Sequence, residues 1–261
     1  MRSAVLSRSI TSTGQTATGD TVFWAQPLRD YIMLLEHGSR HYTLSRLLLL
    51  LLAAIAGWWL YVPAHELLHA FGCLWSGGEV TRLELAPEYG AAWLQSYFPW
   101  IAVGSDYAGQ LTGFDSKGND LIYLVTVLAP YVLTLFPGML LWTHAVNADW
   151  RRSVVWALTG FSFSMVAAPF IAISGDMYEA ASIVITSLLR LLDGGADVQR
   201  WRSDDLLLLL RQLAADMGGL DVLMLSAGSL LAVLLAWSLY WLGRRLAVVT
   251  LVVLAQQRVR T

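Results

Sequence analysis

The residues with the clearest chemistry are His65-Glu66-Leu67-Leu68-His69. On a helix, positions four apart share a face, so both imidazoles can reach one metal ion. Zinc suits two neutral imidazoles plus a carboxylate, with its fourth tetrahedral position open to water. A water held there has its pKa lowered from near 16 to about 7, which makes hydroxide available at neutral pH. Glu66 is placed to accept that water's proton and pass it to a leaving amine. In outline this is peptide-bond hydrolysis. The motif also lies inside an apolar stretch, residues 47–75. A charged side chain in a membrane helix costs about 2.5–3.5 kcal/mol on insertion scales, so ionisable groups there pair, ligate or face water. A polar patch at a helix end is the plainer account of the same residues.

A third ligand has to come from elsewhere. In one soluble class the motif continues with Gly and then a third His. Gly72 is in register for that pattern, but Trp75 stands at the His position. Asp176 is the best candidate, because it sits between two apolar segments in Ile173-Ser-Gly-Asp-Met. An acid there is costly unless used, and Gly175 with Pro169 would let the backbone bend to present it. Glu179, a turn later, is the rival. Asp106, His144 and Glu79 lie outside the apolar segments and are poorer choices.

The elements that must hold these groups are apolar and long. Of the 261 residues, 56% are hydrophobic and 14% charged, whereas a soluble domain has about a quarter of its residues charged. Five segments carry the excess: 47–75, 121–142, 154–173, 177–192 and 222–242. Roughly 20 apolar residues cross a hydrocarbon core, so 177–192 is short for a span and 47–75 longer than one needs. Trp75, Trp142, Trp237 and Trp241 fall near segment ends, where indole rings favour the lipid–water boundary. The reading is an all-α membrane protein, a bundle of about 4–6 transmembrane helices with a small β-like hairpin loop after the first. Glu79–Leu85 alternates as a half-buried strand does. A surface helix is expected around residues 204–216. Pro63 divides the first segment into two differently directed pieces.

Residues 1–46 form a polar N-terminal segment. Composition favours disorder over 1–20 and a short amphipathic helix over 21–37; no apolar core marks a cleavable leader. Residues 47–255 read as a single membrane-embedded domain, and 256–261 as a basic tail. Arginines in the N-terminal segment and at Arg244, Arg245, Arg258 and Arg260 ask both ends to be cytoplasmic. That requires an even number of crossings, so 154–192 is expected to break around Ser174-Gly175-Asp176 rather than cross twice. The net charge of −2 and the lack of a basic cluster give no sign of a nucleic-acid partner, and the single Cys73 leaves no internal disulfide.

Taken together, His65–His69 in a membrane helix, Gly78-Glu-Val-Thr-Arg-Leu-Glu-Leu-Ala-Pro, Ala129-Pro130, Pro169 and Gly175-Asp176 resemble the site-2 protease family of intramembrane metalloproteases. The likeness is strongest to its short bacterial zincin relatives, and it covers about residues 47–192, with only the five-residue motif strongly specific. It implies His65 and His69 as zinc ligands, Glu66 as base and Asp176 as third ligand. It also implies a multi-pass protein of a bacterial cell membrane. The chain departs from the family in three ways. The family's Asp-Gly is reversed in Gly175-Asp176, Leu133 stands where an Asn is usual, and no peptide-binding domain is inserted. These departures bear on the groups that clamp substrate and stabilise the oxyanion; Tyr131, Thr134 and Tyr178 have the chemistry to replace them.

The expected activity is zinc-dependent cleavage of a peptide bond in or near the membrane segment of a membrane-anchored protein or peptide, with the lipid bilayer as surroundings. Glu79–Leu85 would hold the unwound substrate by edge addition. The alternative is a catalytically inactive zinc-binding membrane protein that serves as a partner-binding module. The intact Glu66 argues against it, since metal binding alone needs no base. A transporter would spread its polar residues along a path, and here they gather at one place.

Overall fold

The computed structural model describes residues 25–192 and 198–260. Two compact units divide between Tyr42 and Thr43. In the first, helix α1 (Gln26–Arg40) carries Pro27 in its opening turn and an internal bond from Gln26 to Asp30 (2.6 Å). This is the amphipathic helix expected over 21–37, starting and ending later; the disorder expected over 1–20 lies outside the described residues.

The second unit is a helical bundle with one small sheet. Its first helix, α2 (Leu44–Ser76), starts at Thr43, whose hydroxyl accepts the Arg46 N–H, and stops at Gly77, which takes a left-handed φ of 101°. Then follow strand β1 (Glu79–Leu85), helix α3 (Ala91–Gln95), β2 (Ile101–Val103) and β3 (Gly109–Asp115). Helices α4 (Asp120–Leu128) and α5 (Met139–Val146) are separated by two irregular turns that include a cis Phe136–Pro137 bond. The last elements are α6 (Ser153–Ile171), α7 (Asp176–Leu192), α8 (Leu206–Leu213) and α9 (Gly219–Arg260).

Among the described residues four helical segments are long and apolar enough to cross a membrane: Leu44–Ser76, Asp120–Val146, Ser153–Ser174 and Gly219–Gln257. Four is an even number of candidates, and the chain breaks at Ala172–Gly175 where it was expected to. The surface helix around 204–216 is the shorter α8, started by Asp205, whose carboxylate accepts the Leu207 and Leu208 N–H groups.

Helix α2 runs through Pro63 as one 33-residue element, and neighbours grip both of its halves. Before the proline, Gly57 and Gly160 let α2 and α6 meet backbone to backbone; a Cβ on Gly160 would collide with the Leu50 carbonyl oxygen. After it, Gly72 lets α2 approach α4, where a Cβ would meet Ala129 and the Val125 carbonyl. One expectation is corrected, that of a simple hairpin. The sheet has three strands in the order β2-β1-β3, with β1 parallel to β2 and antiparallel to β3. Strand β1 is therefore central, and its Leu83–Leu85 end is paired on both sides.

Prolines shape the bundle through the carbonyls they release. A proline cannot donate to the carbonyl four residues earlier, and in an apolar bundle that oxygen needs another donor. Pro130 frees Thr126 O, which is bonded by the His69 ring at 2.9 Å. Pro169 frees Met165 O, which accepts the Thr134 hydroxyl at 2.6 Å.

Candidate metal centre

His65 and His69 lie one turn apart on α2, and Asp176 is the first residue of α7. The fold brings these three together although 111 positions separate His65 from Asp176. The two Nε2 atoms are 3.1 Å apart, His65 Nε2 is 3.2 Å from Asp176 Oδ2, and His69 Nε2 is 3.5 Å from the same oxygen. Three ligand atoms thus form a nearly equilateral triangle. Tetrahedral coordination with bonds of about 2.0–2.1 Å has edges of about 3.3 Å, so the triangle has the size of one face of such a site.

The outer ring atoms explain why the inner ones converge. His69 Nδ1 faces the Thr126 carbonyl, which can only accept, so Nδ1 carries the proton and Nε2 presents a lone pair. His65 Nδ1 is 2.7 Å from the Tyr61 hydroxyl, four residues back on the same helix face. Asp176 Oδ2 accepts the Tyr131 hydroxyl at 2.8 Å. A single proton can satisfy one edge of the triangle. A cation at its centre satisfies all three, and ligands held by such outer bonds are typical of metal sites. His65, His69 and Asp176 are a group that could hold a metal ion.

Glu66 points into a cavity of about 400 Å³ lined by Trp58, Tyr61, His65, Tyr107, Gly109 and Asp176 among others. Among the described residues its carboxylate has no hydrogen-bond donor, which leaves it available to the cavity. Its stem packs on β3, because a Cβ on Gly109 would lie 2.5 Å from Glu66 Cγ. Glycine is required there by this close approach.

The rivals for third ligand sit elsewhere. Glu179 accepts the Tyr123 hydroxyl at 2.6 Å. Glu79 is exposed and pairs with Lys117 at 3.2 Å. Asp106 is exposed between β2 and β3, and His144 is exposed on α5. Of the hydroxyls considered for substrate contact, Thr134 is spent on Met165 O, and the Tyr178 hydroxyl turns to Trp201 O at 3.4 Å. Only Tyr131 reaches the centre, and it faces the ligand carboxylate.

Sequence reasoning missed Tyr61, the Thr126 carbonyl and Gly109. The first two had a signal: Tyr61 precedes His65 by one helical turn, and Pro130 follows Thr126 by four residues. Gly109 had none, being 43 positions beyond Glu66 in the chain.

The chain was compared with known proteins; no family model, curated protein or solved structure matches it.

Proposed function

We propose that the protein is a zinc-dependent intramembrane endopeptidase of the site-2 protease kind. The observation that carries this reading is the His65–His69–Asp176 triangle with the free Glu66 carboxylate beside it on an apolar helix. Two imidazoles, one carboxylate and an adjacent base are the donor set of hydrolytic zinc sites. Zinc bound there would supply Lewis-acid polarisation of a peptide carbonyl and of water.

The chain's own residues do the rest. His65 and His69 present Nε2, with Thr126 and Tyr61 holding the rings in place. Glu66 takes the proton of the attacking water and returns it to the departing amine nitrogen, so the base is regenerated within the cycle. Apolar cavity walls at Trp58, Ala168 and Ile171 limit bulk water, which strengthens each electrostatic contact inside. A helical substrate must unwind to offer a carbonyl. With the Leu83–Leu85 end of β1 paired on both sides, and β2 joined to α3 through the Gln95 side chain on Ile101 O (2.7 Å), the outer edge of β3 is the one placed to receive it. Ala108 and Gly109, at the start of β3, line the same cavity as Glu66.

Metal analysis of detergent-purified protein tests the reading, together with cleavage of a membrane-anchored reporter. The wild type should hold about one zinc per chain, and Glu66→Gln should keep that zinc while cleavage falls by roughly 10²–10⁴-fold. Metal-free wild-type protein, or a Glu66→Gln variant that cleaves normally, would sink it.

A further inference from the structure

The Tyr131 hydroxyl does no work in peptide hydrolysis as just described, yet it is buried at the centre. The ring is 1% exposed and stands edge-on to His65, with centroids 5.7 Å apart. Its hydroxyl donates to Asp176 Oδ2, the same oxygen that lies 3.2 and 3.5 Å from the two Nε2 atoms. We infer that Tyr131 is a positioning residue of the metal centre, one that fixes the Asp176 carboxylate so that Oδ2 completes the ligand triangle. The inference rests on the metal-binding reading above and deepens it.

Local chain geometry explains why Asp176 needs such help. It opens α7 directly after Gly175 and the turn Ala172–Ser174. A side chain at a helix start has no preceding helical turn to restrict its rotamer. The histidines are different, since each sits mid-helix with its ring nitrogen tied back to Tyr61 or Thr126. Tyr131 supplies the equivalent restraint from the turn that follows α4, 45 positions away. One lone pair of Oδ2 takes the phenol proton, which leaves another directed at the imidazoles. Losing an outer-shell partner of this kind typically weakens metal binding 10–100-fold.

The test is a Co(II) titration of the full-length, metal-stripped protein in detergent, against a competing chelator, read from the visible absorbance of bound Co(II). Tyr131→Phe removes one oxygen and keeps the ring. It should bind Co(II) about 10–100-fold more weakly than wild type, with a shifted absorption band. Its metal-free form should melt at the wild-type temperature. Tyr178→Phe, a buried tyrosine on α7 whose hydroxyl faces Trp201, should bind Co(II) like wild type. Equal affinity and spectrum in Tyr131→Phe and wild type would overturn the inference and leave the metal centre standing. A metal-free Tyr131→Phe that melts lower yet binds Co(II) as tightly would assign the residue to packing and overturn it too. Wild-type protein that takes up no Co(II) would remove the metal centre and this role together.

Discussion

The clusters around Asp120 and Asp176 are built in opposite ways. At the N-terminus of α4, Asp120 receives both arms of Arg202 at 2.7 Å, the Ser187 hydroxyl at 2.6 Å and Arg190 at 3.5 Å. Arg202 also donates to Thr186. Both carboxylate oxygens there have partners supplied by the chain, and a bidentate guanidinium–carboxylate pair of this sort is complete in itself. At the α2–α7 contact, Asp176 meets two imidazoles and a phenol, with no arginine or lysine bonded to it. The first cluster is closed. The second has no fixed positive charge of its own, which is the physical difference between a structural brace and a group that could hold a metal ion.

The largest effect should come from opening the second cluster further. Asp176→Ala, His65→Ala or His69→Ala removes one corner of the triangle. Each should abolish stoichiometric metal binding and with it detectable cleavage, as measured by metal content per chain and by reporter processing. If any of the three variants kept full metal content, the triangle would not be the binding site.

Next in size is Gly109→Val. The added side chain would collide with Glu66 Cγ and swing the carboxylate away from the cavity without touching a ligand. Misplacement of a reacting group by about 1 Å can cost roughly 100-fold, so cleavage should fall by about that factor while metal content stays at the wild-type level. Retained cleavage would separate β3 from the chemistry.

Breaking the closed cluster should cost stability instead. Arg202→Ala leaves Asp120 with Arg190 and Ser187 only. Removing one partner of a buried pair costs 3–5 kcal/mol, and with Asp120 about a quarter exposed the expected loss is about 2–3 kcal/mol. Denaturation midpoints should drop and metal content per folded chain should not. The comparison fails if Arg202→Ala empties the metal centre of protein that is still folded.

How much of this was legible in the sequence varied with distance along the chain. His65, Glu66 and His69 were readable because helical geometry relates them within one turn. Strand β1 was readable from its alternation, and its bounds are those expected, Glu79–Leu85. Asp176 was singled out by energetics, as an acid stranded between apolar segments, by the Gly175 beside it, and by the family resemblance. Strand β2 has three residues, too few for a periodicity, so the sheet order and the central position of β1 were out of reach. That helical hydrogen bonding carries on through Pro63 was not legible, since the glycine contacts to α6 and α4 that hold both halves are tertiary. The restraint of Asp176 by Tyr131 depends on how α4 meets α7, and nothing local to either segment announces it.

The smallest expected effect sharpens the comparison most. Glu179 lies on the same helix as Asp176, one turn on, and sequence alone left the two acids as rivals. In the fold Glu179 has a donor of its own, the Tyr123 hydroxyl at 2.6 Å, so it resembles the closed cluster in miniature. Glu179→Ala removes a neutral-to-acid bond and leaves one phenol without its acceptor, a loss of about 1–2 kcal/mol. Metal content should remain at one ion per chain, and cleavage should stay within about threefold of wild type, the change that such a small perturbation of the neighbouring turn allows. Asp176→Ala, three residues earlier, should lose both. Should the two variants behave alike, with metal lost from each, the carboxylate pair would act as one unit, and the division between closed and open clusters would have to be redrawn to place Tyr123 and Glu179 inside the centre.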